Sequence, residues 1–341
     1  MKACTLIGML LLLPLAPARS GEQHLRGQWS PLVWIPYSGV YPQRGYPLAV
    51  DDLGIRHVVY TGGGLPCYDT VCGVYYQSSQ DGMQWSPPVL VPGSEDVGWL
   101  CAPEVLTSGT RVYVAWFGSL GFEITWTDDQ GAHFAPTLTP APATPGGLQM
   151  GSACDVTGAL HFVWAGGANN LYYLRSWSAG NAFVPGLSTP DPVFLPAQRL
   201  SAEDGMVAQN TSVGVDQKGF VSIVYDQEST PGHVRFTRAY QGVGFPPSIA
   251  LDDKTYCAQL SVSPEGPITV AYARFNPNRS QVFTRVSMDG TSWEGPFQQT
   301  FQYLAGFDRM PGTRPGKNGR VYAAWAEAIT VYSWETTCAV A

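Results

Sequence analysis

The sequence predicts an all-β protein: a six-bladed β-propeller of four-stranded antiparallel blades, with the last blade closed by the N-terminal strand. Three observations predict this fold. Only 13% of the residues are charged, while 38 Gly and 28 Pro interrupt short β-branched and aromatic runs, as in strand-rich proteins. One pattern recurs six times along the chain, and a turn motif follows it in register.

The recurring pattern reads as a strand, a tight turn and a second strand. Each copy carries Gly at or next to its tenth position and ends in alternating apolar residues followed by an aromatic one. Gly at this place supplies the positive φ that a hairpin turn requires. The copies span residues 45–60, 101–116, 149–164, 210–225, 257–272 and 310–325. Their spacing suits one four-stranded blade each, so they predict six blades.

A third short strand follows each copy, and after it comes a turn motif of the form S/T-x-D-(x)-G-x-x-W/F. Its Asp and hydroxyl side chains hydrogen-bond turn amides, its Gly takes a positive φ, and its aromatic residue fills the gap between strands. Decayed copies occupy residues 176–183 and 238–245. The three best copies predict a structural role for Ser79, Asp81, Gly82, Trp85, Thr127, Asp129, Gly131, Phe134, Ser287, Asp289, Gly290 and Trp293.

The two ends of the chain complete one domain. The sixth copy ends after Glu335 without its fourth strand, and Trp29–Pro36 copies the segment Trp85–Pro92 of the first blade. We therefore expect the N-terminal strand to complete the last blade, which leaves no free sheet edge. The domain is expected to span residues 21–341.

Residues 1–20 read as a secretory signal peptide. Lys2 precedes the short apolar run Leu6–Leu15, and small residues follow it. This pattern predicts a secreted or periplasmic protein, and no later segment is apolar enough to span a membrane. The net charge of −7 without a basic run argues against nucleic acid as a partner. We expect a monomer.

Six cysteines remain in the mature chain, in an oxidising compartment. Cys67 and Cys72 enclose four residues and are the predicted disulfide; the pairing of the other four stays open: Cys101, Cys154, Cys257 and Cys338. The absence of a C-x-x-C motif and the dispersed His argue against zinc, and no cofactor is expected. Carboxylate pairs such as Asp252 and Asp253 could hold structural calcium, although no ligand spacing predicts it.

The repeats and the turn motif resemble the sialidase (neuraminidase) superfamily of Asp-box, or BNR-repeat, propellers, over nearly the whole mature chain. In that family the boxes lie on the face opposite to the active site, so the resemblance implies that Asp81, Asp129 and Asp289 are structural. It also implies that function lies at the other rim, where the first strand of each blade begins.

The same resemblance suggests an arginine cluster at that rim. The family begins its first inner strand with an Arg, and here Arg44 and Arg309 each lie ten residues before a turn Gly. Arg274 follows the second strand of the fifth blade, next to the sixth and first blades around the ring. We expect these three residues to bind an anion such as a carboxylate.

The catalytic residues of the family are only partly matched. The position of the family's catalytic acid, an Asp, falls within the predicted disulfide loop of this sequence, where Asp69 lies. The position of the family's catalytic Glu is occupied here by Asn210, and that of its Tyr nucleophile by Met310. Tyr256 is a substitute candidate for the nucleophile, and Glu104 and Asn210 join the predicted ligand-binding residues.

Two functions follow from these patterns. The first is a binding module whose single central rim site recognises a glycan or a protein, with aromatic residues such as Trp99, Tyr256 and Tyr303 stacking on sugar faces. The alternative is a divergent sialidase-like exo-glycosidase with Asp69 as acid. The missing nucleophile pair favours the binding module.

Overall fold

The regular structure of this protein is β throughout the part that the computed structural model describes. That part comprises residues 13–14, 48–62, 73–95, 97, 103–142, 150–166, 170–177, 191–200, 207–228, 232–263, 267–276, 279–299, 312–315, 321–324, 327–330 and 336–339. It contains 26 strands and no helix, hence no helix that could cross a membrane. The all-β prediction is confirmed.

Five antiparallel sheets are each built from strands that follow one another in the sequence. Sheet 1 contains β2 (Leu48–Val50), β3 (Arg56–Gly62), β4 (Gly73–Ser79) and β5 (Val89–Leu90). Sheet 2 contains β6 (Glu104–Ser108), β7 (Arg111–Gly118), β8 (Gly121–Thr127) and β9 (Leu138–Pro142). Sheet 3 contains β10 (Met150–Cys154), β11 (Leu160–Gly166) and β12 (Asn170–Trp177), with β13 (Val193–Phe194) and β14 (Gln198–Arg199) both paired to β12.

Sheets 4 and 5 repeat the four-stranded order. Sheet 4 contains β15 (Val207–Val215), β16 (Phe220–Glu228), β17 (His233–Tyr240) and β18 (Ile249–Asp253). Sheet 5 contains β19 (Thr255–Val262), β20 (Ile268–Asn276), β21 (Arg279–Ser287) and β22 (Glu294–Gln298). Each of the first five recurring sequence patterns therefore forms the first two strands of one sheet, as predicted.

The remaining strands form two smaller sheets. The first contains β1 (Leu13–Pro14), β24 (Val321–Ala324) and β23 (Gly312–Pro315), in that order, and the second contains β25 (Glu327–Thr330) and β26 (Thr336–Ala339). The predicted closing strand Trp29–Pro36 lies outside the described residues. A sixth blade and closure of the ring therefore stay predictions.

The first strands of successive sheets lie side by side. β2 contacts β6, β6 contacts β10, β10 contacts β15, β15 contacts β19, and β19 contacts β23. This series is the arrangement expected when sheets are placed around one axis with their first strands innermost.

The hydrophobic core lies between the sheets. Each of four buried clusters combines residues of two neighbouring sheets. Between sheets 2 and 3, Phe122 packs on Phe162 with ring centroids 4.8 Å apart, and the buried Trp164 stacks on Phe122. Burying one such side chain contributes on the order of 2 kcal/mol, so these interfaces account for much of the stability.

The turns after β4, β8 and β21 share one hydrogen-bond pattern. In sheet 2, Thr127 Oγ1 donates to Asp129 Oδ1 over 2.8 Å and accepts from the amide of Gly131 over 2.9 Å. Asp129 Oδ1 also accepts from the amide of His133 over 2.9 Å. The turns that contain Asp81 and Asp289 repeat these bonds. The carboxylates thus hold local turns.

In sheets 2, 4 and 5, the aromatic residue of the turn after the third strand packs on the preceding sheet. Phe134 of sheet 2 meets Tyr76 of sheet 1 edge to face, with ring centroids 5.7 Å apart. Gly131 (φ +91°) fits this contact because a Cβ there would lie 2.5 Å from the Tyr76 ring. The same edge-to-face contact joins further pairs of sheets, through Phe245 on Tyr173 and Trp293 on Phe236.

A second carboxylate motif holds the hairpins between first and second strands. Asp155 Oδ1 accepts from the amides of Thr157 and Ala159, and Asp155 Oδ2 lies 3.4 Å from His161 Nε2. Burial opposes ionisation of this carboxyl, but the bonds from His161, Thr157 and Ala159 outweigh it and lower its pKa to about 2. Asp51 and Asp216 occupy the same place in sheets 1 and 4.

The lowered pKa of Asp129 predicts that this residue makes a pH-dependent contribution to stability. The amide of His133 donates to this carboxylate and lowers its pKa to about 2, below the ordinary value of 3.8. Because the folded pKa is depressed, the stabilisation is present above about pH 4 and is lost as the pH falls towards 2. The melting temperature of the wild type should therefore exceed that of Asp129→Asn at pH 5, and the difference should vanish near pH 2.

The exposed Asp191 supplies the control for this measurement. Asp191→Asn should leave the melting temperature unchanged at both pH values. Equal melting temperatures of wild type and Asp129→Asn at pH 5 would contradict the assigned role of the turn.

Candidate functional site

The residues singled out by sequence fall at two opposite ends of the sheets. Ser79 pairs with Arg56 at the start of β3, so the turn after β4 lies beside the hairpin between β2 and β3. The turns after β8 and β21 lie at the same end. The other end carries the starts of the first strands, with Glu104, Asn210 and Tyr256. We refer to this second end as the rim.

The described rim contains a buried carboxylate on β16 that joins two sheets. Asp226 is 5% exposed; its Oδ2 accepts from the Asn210 side-chain amide and the Cys257 backbone amide. Its Oδ1 accepts from the amide of Ala258 over 3.1 Å. Asp226 and Asn210 belong to sheet 4, and Cys257 and Ala258 to sheet 5, so one carboxylate joins two sheets at the start of their first strands.

Both first strands are irregular at this point. The pairing of β15 with β16 shifts between Gln209 and Ser212, and that of β19 with β20 shifts between Tyr256 and Gln259. Asn210 (φ +48°) and Cys257 adopt the left-handed conformation there. Left-handed residues other than Gly persist only where their surroundings fix them, and they concentrate at functional sites.

Arg274 is held by an ion pair between sheets. Its guanidinium donates to Asp252 on β18, and it lies over the Phe283 ring, 4.6 Å from the centroid. Tyr272 donates to the same carboxylate oxygen, and its pKa is raised by burial and then by Asp252, which keeps the phenol protonated. Arg274 keeps 35% of its side chain exposed, so a ligand can still reach it.

Glu104 joins two further sheets at the rim. Its carboxylate on β6 accepts from Ser152 Oγ on β10 over 3.0 Å, and the residue is 1% exposed. Thr211 makes a similar bond between sheets 4 and 3, donating to the carbonyl of Val163. The described rim side chains thus bond chiefly to the neighbouring sheet.

Part of the predicted site falls outside the described residues: Arg44, Arg309, Asp69 and the predicted disulfide Cys67–Cys72. Their roles stay predictions. Among the predicted residues that the structure describes, Asn210 and Tyr256 lie at the register shifts where sheets 4 and 5 meet. Arg274 lies close to them, because it pairs with Thr255, the residue before Tyr256. Glu104 lies two sheets away, on β6.

Sequence reasoning missed two carboxylates, Asp226 and Glu123, and considered Asp252 only as a calcium ligand. For Asp226 a signal exists: it directly follows the aromatic residue that ends the fourth repeat, where every other repeat has an uncharged residue. Glu123 is the one acid in the apolar strand β8; it is 4% exposed, and burial raises its pKa. The backbone at Gly118 covers it, since a Cβ there would lie 2.4 Å from its Oε1.

The described residues contain no group of three His, Cys, Asp or Glu side chains placed to hold a metal ion. Asp252, which was one candidate for a calcium ligand, instead pairs with Arg274.

The Asp226 junction predicts a large loss of stability on truncation. Asp226→Ala removes the carboxylate that accepts from the Asn210 side chain and from the backbone amides of Cys257 and Ala258, and each lost buried bond costs about 1–3 kcal/mol. We expect the free energy of unfolding, measured in urea, to fall by at least about 3 kcal/mol.

The exposed neighbour Asp253 provides the matched control for this variant. Asp253→Ala should change the free energy of unfolding by less than about 0.5 kcal/mol. Similar losses in the two variants would show that the carboxylate does not join the sheets.

Known proteins match this chain by structure and not by sequence. No protein-family model matches it, and no curated protein matches it. The BP39L lectin from Burkholderia pseudomallei has a TM-score of 0.57 at 12% identity, over 86% of this chain and 83% of its own.

Two sialidase-related structures also match. A leech intramolecular trans-sialidase has a TM-score of 0.53 at 8% identity, over 88% of this chain and 67% of its own. A neuraminidase-like protein from a flat-faced bat isolate has a TM-score of 0.52 at 11% identity, over 98% of this chain and 93% of its own. At these identities the similarity shows the fold alone: the chain has a sialidase-like β-propeller fold.

Proposed function

We propose that this chain is an exported carbohydrate-binding propeller with one central binding site at the rim. The observation that carries the proposal is the hydrogen bond from the Asn210 side chain to Asp226. The sialidase resemblance expects a catalytic Glu at this position, and here a neutral amide donates to the buried Asp226. An amide in this bond cannot activate a nucleophile, whereas the same rim can bind a ligand without chemistry.

The ligand site that we propose combines charged and aromatic side chains. Arg274, together with Arg44 and Arg309, would bind a carboxylate or other anionic group, and Tyr256 would stack on a sugar face. Glu104 and Asn210 would complete the polar lining. The partial exposure of Arg274 beside Tyr256 on sheet 5 supports this arrangement.

The proposal includes the architecture that the sequence predicts. A single domain over residues 21–341 would form six blades, with Trp29–Pro36 closing the last one and a disulfide between Cys67 and Cys72 bracing one rim loop. The signal peptide at residues 1–20 would direct export. The resulting protein would act as a monomer on a glycan or on a protein surface.

One observation favours the alternative of a divergent exo-glycosidase. Hydrolysis needs a proton donor, and Glu123 is a carboxyl in the described part of the chain whose pKa burial raises. In this reading Glu123 or Asp69 would supply the proton, and Tyr256 would be the nucleophile. A screen with fluorogenic glycosides, including a sialoside, tests it directly.

Tyr256 gives the sharpest test of the binding proposal. Loss of a stacked aromatic ring should weaken binding of a glycan-array hit by about tenfold in Tyr256→Ala. The control is Tyr240→Ala, because Tyr240 is 55% exposed at the opposite end of sheet 4. That variant should bind as the wild type does.

Two results would overturn the binding proposal. One is an array on which neither glycans nor glycoproteins bind the wild type. The other is turnover of a glycoside that disappears in Asp69→Ala or Glu123→Gln and persists in Asp129→Ala, which would establish the enzyme.

A further inference from the structure

A second candidate site lies at the end of the molecule opposite to the rim. An open cavity of about 310 Å³ lies between the turns that follow the third strands of sheets 1 and 2. This volume is in the range of sites for small ligands. All of the lining residues have polar side chains: Ser78, Ser79, Gln80, Asp81, Gln84, Ser86 and Gln130.

The cavity has a buried floor and exposed walls. Ser78 and Ser79 are 8% and 3% exposed and form the floor, where Ser79 is fixed by its bonds to Asp81 and to the amide of Gly82. The carboxamides of Gln80, Gln84 and Gln130 are exposed, and none has a hydrogen-bond partner among the described residues. Three carboxamides without hydrogen-bond partners among the described residues thus line the cavity around this floor.

Gln130 is itself an extra residue in the turn of sheet 2. The turns of sheets 1 and 5 are one residue shorter, whereas here Gln130 stands between Asp129 and Gly131. Gln130 adopts the left-handed conformation, with φ +59°, and Gly131 next to it is seated on the ring of Tyr76. The packing of sheet 2 on sheet 1 therefore holds the Gln130 turn against the turn of sheet 1.

The chemistry of the lining selects the ligand class. Asp81 is ionised, because the amides of Gln84 and Met83 lower its pKa, so an anion would be repelled. Its Oδ1 already accepts three hydrogen bonds, and no second carboxylate lines the cavity, so a metal cation would lack ligands. Carboxamides offer donors and acceptors side by side, which suits the hydroxyl groups of a sugar.

We propose that this cavity binds a neutral saccharide unit through the carboxamides of Gln80, Gln84 and Gln130. The site is separate from the rim site of the proposed function and lies at the opposite end of the sheets. A chain with both sites would contact glycans at two ends.

The test titrates the full-length mature chain with methyl glycosides of glucose, galactose, mannose, fucose and N-acetylglucosamine, followed by saturation-transfer NMR. At least one glycoside should bind, and Gln130→Ala should weaken it by about tenfold. Gln241→Ala is the matched control: Gln241 is also exposed and left-handed (φ +51°), in the corresponding turn of sheet 4, and does not line the cavity. It should change the affinity by less than about twofold.

A second variant and the rim variant complete the design. Gln84→Ala should weaken binding like Gln130→Ala without altering a left-handed residue, which covers the case of a misfolded Gln130 variant. Tyr256→Ala should leave this binding unchanged, so failure of the rim proposal is seen separately. Absence of binding by every glycoside, equal effects of Gln130→Ala and Gln241→Ala, or loss of binding in Tyr256→Ala alone would each overturn the proposal.

Discussion

The packing of each sheet between two neighbours is the constraint on which the rest of this structure depends. Both faces of an inner sheet are apolar, and neither can be buried by the sheet's own four strands. Phe162 and Trp164 of sheet 3 lie against Phe122 of sheet 2 and contribute to its burial. The aromatic turn residues extend the same principle to the edge, since Phe134 covers Tyr76 of the preceding sheet.

Polar groups between the sheets give these apolar contacts a fixed alignment. Hydrophobic faces could slide on one another, but Asp226 accepts two backbone amides of sheet 5 at fixed positions. Ser212 adds a bond from the amide of Leu260 to the same interface. Because an unsatisfied buried donor is costly, a shift of one sheet would break several bonds at once. This alignment of the sheets fixes the relative positions of the residues at the rim.

The sequence predicts local features of this protein well and features between sheets poorly. The strand pairs and the turns around Asp81, Asp129 and Asp289 depend on residues within a few positions, so spacing reveals them. Asp226 and the cavity beside Gln130 depend on contacts between different sheets, and no spacing rule connects such partners. The rim residues were placed by resemblance to a family, and for Asn210 the structure adds a partner, Asp226, that no motif indicated.

The aromatic contact between Phe134 and Tyr76 also bears on the order in which the chain folds. Tyr76 is synthesised before Phe134, and its ring lacks this contact until the later segment with Phe134 has been made. The same delay applies to Tyr173 and Phe236, so each of these sheets presents an uncovered apolar face until the next sheet has been made. Folding would then proceed sheet by sheet from the N-terminus. At each stage one apolar face would be exposed, and chaperones would have to shield it.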